Sequence, residues 1–142
     1  MDLSSLVQDN IDEILVKIIE FTRLRHEVIS ANINNCNRPG FVPKRLDGEE
    51  FATLISSGLS EHFKTNRLVL EDGQNVSFGS DGDFTITPKF DASAATVYRD
   101  DVDSFLLMQK ERLSENMINN KQAVALFEQK LQKSRFTVDI EE

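Results

Sequence analysis

The chain has 142 residues, a formal net charge of −8 at pH 7, 39% hydrophobic residues and no tryptophan. This length suits one modest domain or an extended pair of helices. The negative charge argues against phosphate backbones and anionic membrane surfaces as partners, so nucleic-acid binding is not expected. Met1–Asn10 lacks the basic start and apolar block of a cleaved signal, and no apolar run approaches the roughly 18 residues of a membrane span. Taken alone, these features indicate a cytoplasmic protein.

The first predicted element is a long amphipathic helix over residues 3–35. Its main apolar positions alternate in steps of four and three, with Arg25 interrupting the pattern. These positions are Val7, Ile11, Ile14, Ile18, Phe21 and Val28. Leu15, Ile19 and Leu24 widen the apolar face, so we expect the helix to contact more than one neighbour.

The helix is predicted to end in a fixed corner before Phe41. Asn34, Asn35 and Asn37 favour side-chain hydrogen bonds to the backbone over continued helix. Pro39 excludes the preceding residue from helical dihedrals, and Gly40 can adopt a positive φ.

The middle of the chain predicts a short helix and a small sheet. Residues 42–46 form an extended link, and Asp47 with Glu50 three residues later predicts the start of a helix, which Gly58 could end early. Three short strands with two turns are predicted at residues 67–70, 76–78 and 84–87. Residues 89–99 are small and polar and indicate a linker.

A second long helix is predicted over residues 100–135. Its apolar positions mostly alternate in steps of four and three, and Asn120 lies among them, where a polar residue commonly sets the register of paired helices. The positions are Leu106, Leu113, Met117, Asn120, Val124, Phe127 and Leu131. The predicted fold is mainly α: two long terminal helices form an antiparallel coiled-coil-like pair, with a short helix and small β region between them. The corresponding segments are 1–40, 41–99 and 100–142.

Residue types that carry chemistry are sparse. His26 and His62 lack a second ligand at zinc spacing, so both are predicted to be structural. Cys36 has no oxyanion-hole motif beside it and is interpreted as a small buried thiol. Residues 81–83 resemble a calcium loop but lack its remaining ligands, which favours a simple turn. We therefore predict no catalytic residues, no cofactor and no metal.

The corner has a counterpart in a known family. Asn32-Ile33-Asn34-Asn35-Cys36-Asn37-Arg38-Pro39-Gly40-Phe41 resembles Asn-Ile-Ala-Asn-Ala-x-Thr-Pro-Gly-Tyr, the N-terminal pattern of the bacterial flagellar rod and hook axial proteins. Asn32, Ile33, Asn35, Pro39 and Gly40 match, and Phe41 replaces the tyrosine. Residues 113–116, Leu-Ser-Glu-Asn, resemble the late pattern of the family's proximal rod members.

The resemblance implies a structural subunit of the flagellar basal-body rod that transmits torque and is not an enzyme. Its implied partners are other rod subunits, basal-body ring or adaptor proteins and further copies of itself in a helical assembly. It also implies passage through the type III export apparatus, without a cleaved signal, to the periplasmic rod. The alternatives are another rod component, a cytoplasmic coiled-coil adaptor and an enzyme. Apart from the resemblance, apolar helical faces more often form an intramolecular core than an assembly surface. With the resemblance this preference reverses, and positions on both long helices are predicted to pack against neighbouring subunits. These assembly positions are Ile11, Ile14, Ile18, Phe21, Val28, Leu113, Met117, Asn120, Val124, Phe127 and Leu131.

Overall fold

The computed structural model describes residues 3–79 and 84–141, with side chains described for residues 11–79 and 84–133. The chain is mainly helical, as predicted. Its helices are α1 (Leu3–Asn35), α2 (Gly48–Thr65), α3 (Ala92–Asp100) and α4 (Val102–Glu141). Its strands are β1 (Lys44–Arg45), β2 (Val76–Ser77), β3 (Thr85–Ile86) and β4 (Lys89–Phe90).

The two long helices pack against each other along much of their length. Asn32 near the end of α1 contacts Gln109 near the start of α4, whereas Thr22 contacts Asn120 further along. Since positions earlier in α1 meet positions later in α4, the pair is antiparallel. The prediction of two paired terminal helices is confirmed at this level.

Helix α2 begins where the sequence predicted. The Asp47 side chain accepts a hydrogen bond from the Glu50 backbone N–H at 3.0 Å, which satisfies a donor that the first turn leaves open. The helix continues through Gly58 and ends at Asn66, which has a φ of 57°. A Cβ atom at Gly58 would lie 2.6 Å from Leu70 Cδ2, so this glycine permits close packing and does not end the helix early.

The strand predictions are partly wrong. β2 and β3 form the expected antiparallel pair, with Val76 opposite Ile86. Residues 67–70 do not form a strand, because this segment packs side chains against the core without pairing its backbone in either sheet. The other sheet joins β1 to β4, with Lys44 opposite Phe90.

The predicted linker at residues 89–99 is also wrong, since it contains β4 and α3. Asp91 starts α3 by accepting a hydrogen bond from the Ala94 backbone N–H at 3.0 Å. Asp101, in an extended conformation, separates α3 from α4. The second long helix therefore begins at Val102, later than the predicted residue 100, and extends to Glu141.

Two apolar clusters flank the helix pair. The larger joins α1 to α2 and the β2–β3 sheet, and the Phe21 and Phe51 rings stack within it at 4.3 Å between centroids. The smaller lies under the corner and contains Cys36, Ala94 and Phe105. Helix α1 thus packs against α4 and also against the central region, as its broad apolar face predicted.

Candidate functional site

Asn32 connects the corner to both long helices. Its Nδ2 donates to the Lys44 carbonyl at 2.8 Å and to Gln109 Oε1 at 3.0 Å, while its Oδ1 accepts from the Lys44 N–H at 3.1 Å. The side chain is buried. One amide therefore holds the end of α1, strand β1 and the start of α4 in a fixed arrangement.

The rest of the corner divides into an exposed turn and a buried anchor. Pro39 and Gly40 are exposed, and Gly40 has the predicted positive φ, at 75°. Phe41 turns inward, where its ring meets Tyr98 and Phe105 edge-on at 5.1 and 5.8 Å between centroids. Ile33 and Asn35, the other matched motif positions, are half-buried. The motif is therefore a structural corner in this chain.

The contact between α1 and α4 contains a polar layer. Asn116 Nδ2 donates to the Thr22 carbonyl at 2.7 Å, and Asn120 Nδ2 donates to Thr22 Oγ1 at 2.8 Å. Thr22 and Asn116 are buried. Because buried polar groups must find their partners, this layer favours one register of the helix pair. The prediction that Asn120 contributes to register agrees with this contact.

A groove of about 640 Å³ lies beside this layer, between α1, α4 and residues 44–52. Leu15, Ile18, Ala123 and Leu126 line one end together with Gln122, so this end is mainly apolar. The other end is lined by polar and charged side chains: Arg25, Lys44, Arg45, Glu49, Gln109, Arg112, Glu115 and Asn116. This volume lies in the range of ligand-binding clefts.

Two arginines in the groove differ in how close their carboxylate partners lie. Arg112 Nη1 lies 2.6 Å from Asp91 Oδ2, and Asp91 is almost fully buried. Arg25 lies 4.0 Å from Glu115 Oε1, its only ionic partner among the described residues. Burial lowers the pKa of the Arg25 guanidinium, Glu115 opposes this change and Arg112 adds to it. Arginine nevertheless remains charged in proteins, so Arg25 keeps its need for an acceptor.

The predicted assembly positions on α1 lie mostly within the chain's own packing. Ile14 and Phe21 are buried in the larger apolar cluster, and Ile18 and Val28 are half-buried against it. Ile11 is also half-buried. In this chain, the α1 pattern contributes to an intramolecular core.

The predicted assembly positions on α4 are more accessible. Met117 and Leu131 are exposed, whereas the others are half-buried: Leu113, Asn120, Val124 and Phe127. Over residues 102–133, the most buried positions of α4 are instead Phe105, Gln109, Asn116 and Ala123. Sequence reasoning missed the buried Gln109 and Asn116, because an apolar pattern does not reveal a polar contact surface. Helical spacing could have identified these two residues as part of the contact surface. Positions 105, 109, 112, 116, 120 and 123 repeat in steps of three and four and therefore lie on one helical face.

The residues considered for catalysis differ in their exposure. Cys36 is buried and its thiol faces the Ile33 carbonyl at 3.3 Å, as expected of a small buried side chain. His62 is buried and His26 is exposed. Across residues 3–79 and 84–141, no three metal-binding side chains cluster, and no helix is long and apolar enough to cross a membrane. Residues 81–83 lie outside the described part of the chain.

Comparison of the chain with protein-family models, curated proteins and solved structures finds no match.

Proposed function

We propose that this chain is a structural subunit of the bacterial flagellar basal-body rod, of the FlgB proximal type, that assembles through its terminal helices and transmits torque. The observation that carries the proposal is the antiparallel pair of terminal helices joined to a corner with the flagellar axial motif. In that corner Asn32 bonds to both Lys44 and Gln109, so the motif residues have a physical role in orienting the helices.

The surface of α4 supports an assembly role. Met117 and Leu131 belong to its predicted coiled-coil-like pattern, and their side chains are 45% and 39% exposed. Exposed apolar side chains at helical spacing are suited to pack against another helix. The contacts would be heterologous, so that subunits add as a helix and do not close as a dimer.

The proposed partners are neighbouring rod subunits, further copies of this chain and ring or adaptor proteins at the base of the rod. The chain would reach the periplasmic rod through the type III export apparatus without losing a signal peptide. Another rod component of the same family would share these properties and differ in the order in which it joins the rod.

Location tests this proposal. An epitope-tagged chain is followed by immunoblot in purified basal bodies from cells with an intact or a disrupted flagellar export gate. We expect the protein in basal bodies only when the gate is intact, and we expect its deletion to abolish swimming. Retention in the cytosol together with normal swimming after deletion would overturn the proposal and favour a cytoplasmic adaptor.

The burial of Ile14 and Phe21 within the chain's own core is the observation that favours a cytoplasmic adaptor as the second candidate.

A further inference from the structure

Arg25 is a mostly buried charged donor whose one ionic partner among the described residues is distant. Its side chain is 22% exposed, Glu115 lies at 4.0 Å, and among the described residues it makes no hydrogen bond. A guanidinium carries five N–H donors, and removing them from water without a partner is unfavourable. The nearby Arg112 does not help, because it carries the same charge and is already paired with Asp91.

Two buried amides in the same groove are also incompletely bonded. Gln109 is 0% exposed and its Nε2 has no hydrogen-bond partner among the described residues, although its Oε1 accepts from Asn32. Asn116 is 1% exposed, and no described residue forms a hydrogen bond with its Oδ1. Buried polar atoms are normally satisfied, so Gln109 Nε2 needs an acceptor at this end of the groove, whereas Asn116 Oδ1 needs a donor. The Arg25 and Gln109 donors require an acceptor, and a carboxylate is the acceptor that pairs best with arginine.

The remainder of the groove indicates what carries that carboxylate. From Gln109 to Leu126 the lining of α4 extends over about 25 Å at the rise of an α-helix, which exceeds the reach of a small organic acid. Leu15, Ile18 and Ala123 make the far end mainly apolar, with Gln122 as a polar side chain beside them. An amphipathic helix in an apolar groove has this distribution of contacts.

We propose that the groove between α1, α4 and residues 44–52 binds an amphipathic helix of a partner protein, with an Asp or Glu side chain of that helix paired with Arg25 and its apolar side chains lying toward Leu126. The carboxylate gives Arg25 the close acceptor that Glu115 does not provide. This inference is independent of the rod proposal, because it depends only on the chemistry of the groove.

The test uses a fluorescein-labelled synthetic helical peptide of about 16 residues, with leucine at every third or fourth position and glutamate beside the leucines. A matched peptide carries glutamine in place of each glutamate. Binding to the full chain is measured by fluorescence anisotropy, and the contacted residues are located by amide chemical shifts. We expect the glutamate peptide to bind about tenfold more tightly than the glutamine peptide, with shifts in residues 109–126.

Arg25→Gln is the informative variant and Arg23→Gln is its matched control. Arg23 lies on the same helix but is exposed, is paired with Glu27 and lies outside this groove. Arg25→Gln should weaken binding of the glutamate peptide about tenfold and leave the glutamine peptide unchanged, whereas Arg23→Gln should change neither. Circular dichroism checks that both variants remain folded.

Several outcomes would overturn the proposal. They are no binding of the glutamate peptide, equal binding of both peptides, equal effects of the two arginine variants, and full competition by free glutarate, which would indicate a small-acid site. Shifts confined to the opposite face of α4 would also contradict it.

Discussion

Asn32 bonds to more of the corner than any other motif residue. Replacing it with alanine removes three hydrogen bonds and leaves Gln109, which already has one unpartnered atom, with no partner for its Oε1. Because unsatisfied buried polar groups cost about 1–3 kcal/mol each, we expect Asn32→Ala to lower the free energy of unfolding by about 3 kcal/mol. Urea denaturation followed by circular dichroism measures this change.

Asn34→Ala is the matched control for this prediction. Asn34 is exposed near the end of the same helix, and none of the described residues forms a hydrogen bond with its side chain. We expect a change within about 0.5 kcal/mol. Equal effects of the two substitutions would show that the Asn32 hydrogen bonds do not stabilise the corner.

Asp47 couples stability to pH. Its hydrogen bond to Lys89 at 2.6 Å, followed by that from the Glu50 N–H, lowers the pKa of the Asp47 carboxyl. A lowered pKa in the folded state means that the stabilisation is present above the ordinary carboxyl range near about pH 4 and is lost as the pH falls through the folded pKa. Asp47→Asn retains the ability to cap α2 but removes the charge.

We therefore expect Asp47→Asn to lower the free energy of unfolding by about 1 kcal/mol at neutral pH and to have a smaller effect in acid. Lys89→Met should show the same trend, since it removes the other partner. Denaturation at about pH 7 and about pH 3 measures both differences. A difference that is unchanged between these pH values would show that the ion pair is not its source.

At Gly58 in helix α2, tight packing opposes the gain in helix propensity that alanine would give. Gly→Ala stabilises an exposed helix interior by about 1 kcal/mol. At Gly58, however, a Cβ would lie 2.6 Å from Leu70 Cδ2 and 3.2 Å from the Val69 carbonyl oxygen. Since the backbone oxygen cannot move independently, we expect Gly58→Ala to lower the free energy of unfolding by about 2 kcal/mol in urea denaturation.

Ser57→Ala is the control within the same turn. Ser57 is exposed, so the substitution should be neutral or slightly stabilising. If Gly58→Ala were as stable as Ser57→Ala, the segment at residues 68–70 would not pack tightly on α2.

Elements with local signals were predictable from the sequence. The apolar period of α1, the capping pair Asp47 and Glu50, and the turn-flanked strands of the β2–β3 pair each depend on residues close in the chain. The β1–β4 pairing was not predictable, because two-residue strands far apart in sequence leave no periodicity to detect. Helix α3 was missed although Asp91 is a suitable N-cap, because its short, small-residue sequence is also typical of a linker.

The candidate groove was predictable only in part. The sequence shows Arg25 as an interruption of the α1 pattern and Asn120 as a polar residue within the α4 pattern. The roles of Gln109 and Asn116 depend on the side chains opposite them on α1, which a single-sequence pattern cannot supply. The positive φ of Gly40 in the turn, in contrast, followed from local conformational preferences. The inward position of Phe41 depends on the distant Tyr98 and Phe105.

At the scale of the whole molecule, the two long helices have different roles. Helix α1 contributes Ile14 and Phe21 to the larger core, so substitutions there would disturb folding and assembly together. Helix α4 exposes apolar side chains that the described part of the chain does not cover. Substitutions at exposed residues of α4 can therefore test assembly without disturbing folding.

Met117 and Ile118 provide that test because they are adjacent, apolar and similarly exposed, at 45% and 54%. Met117 belongs to the predicted assembly pattern of α4, whereas Ile118 lies about 100° away around the helix. Each substitution to aspartate should change the free energy of unfolding by no more than about 0.5 kcal/mol. If the pattern packs against neighbouring rod subunits, Met117→Asp should abolish swimming and recovery in basal bodies, because it introduces a charge into a buried helix contact. Ile118→Asp should preserve both. Equal loss in both variants would contradict the assignment of this face, and normal swimming in both would contradict an assembly role for this part of α4.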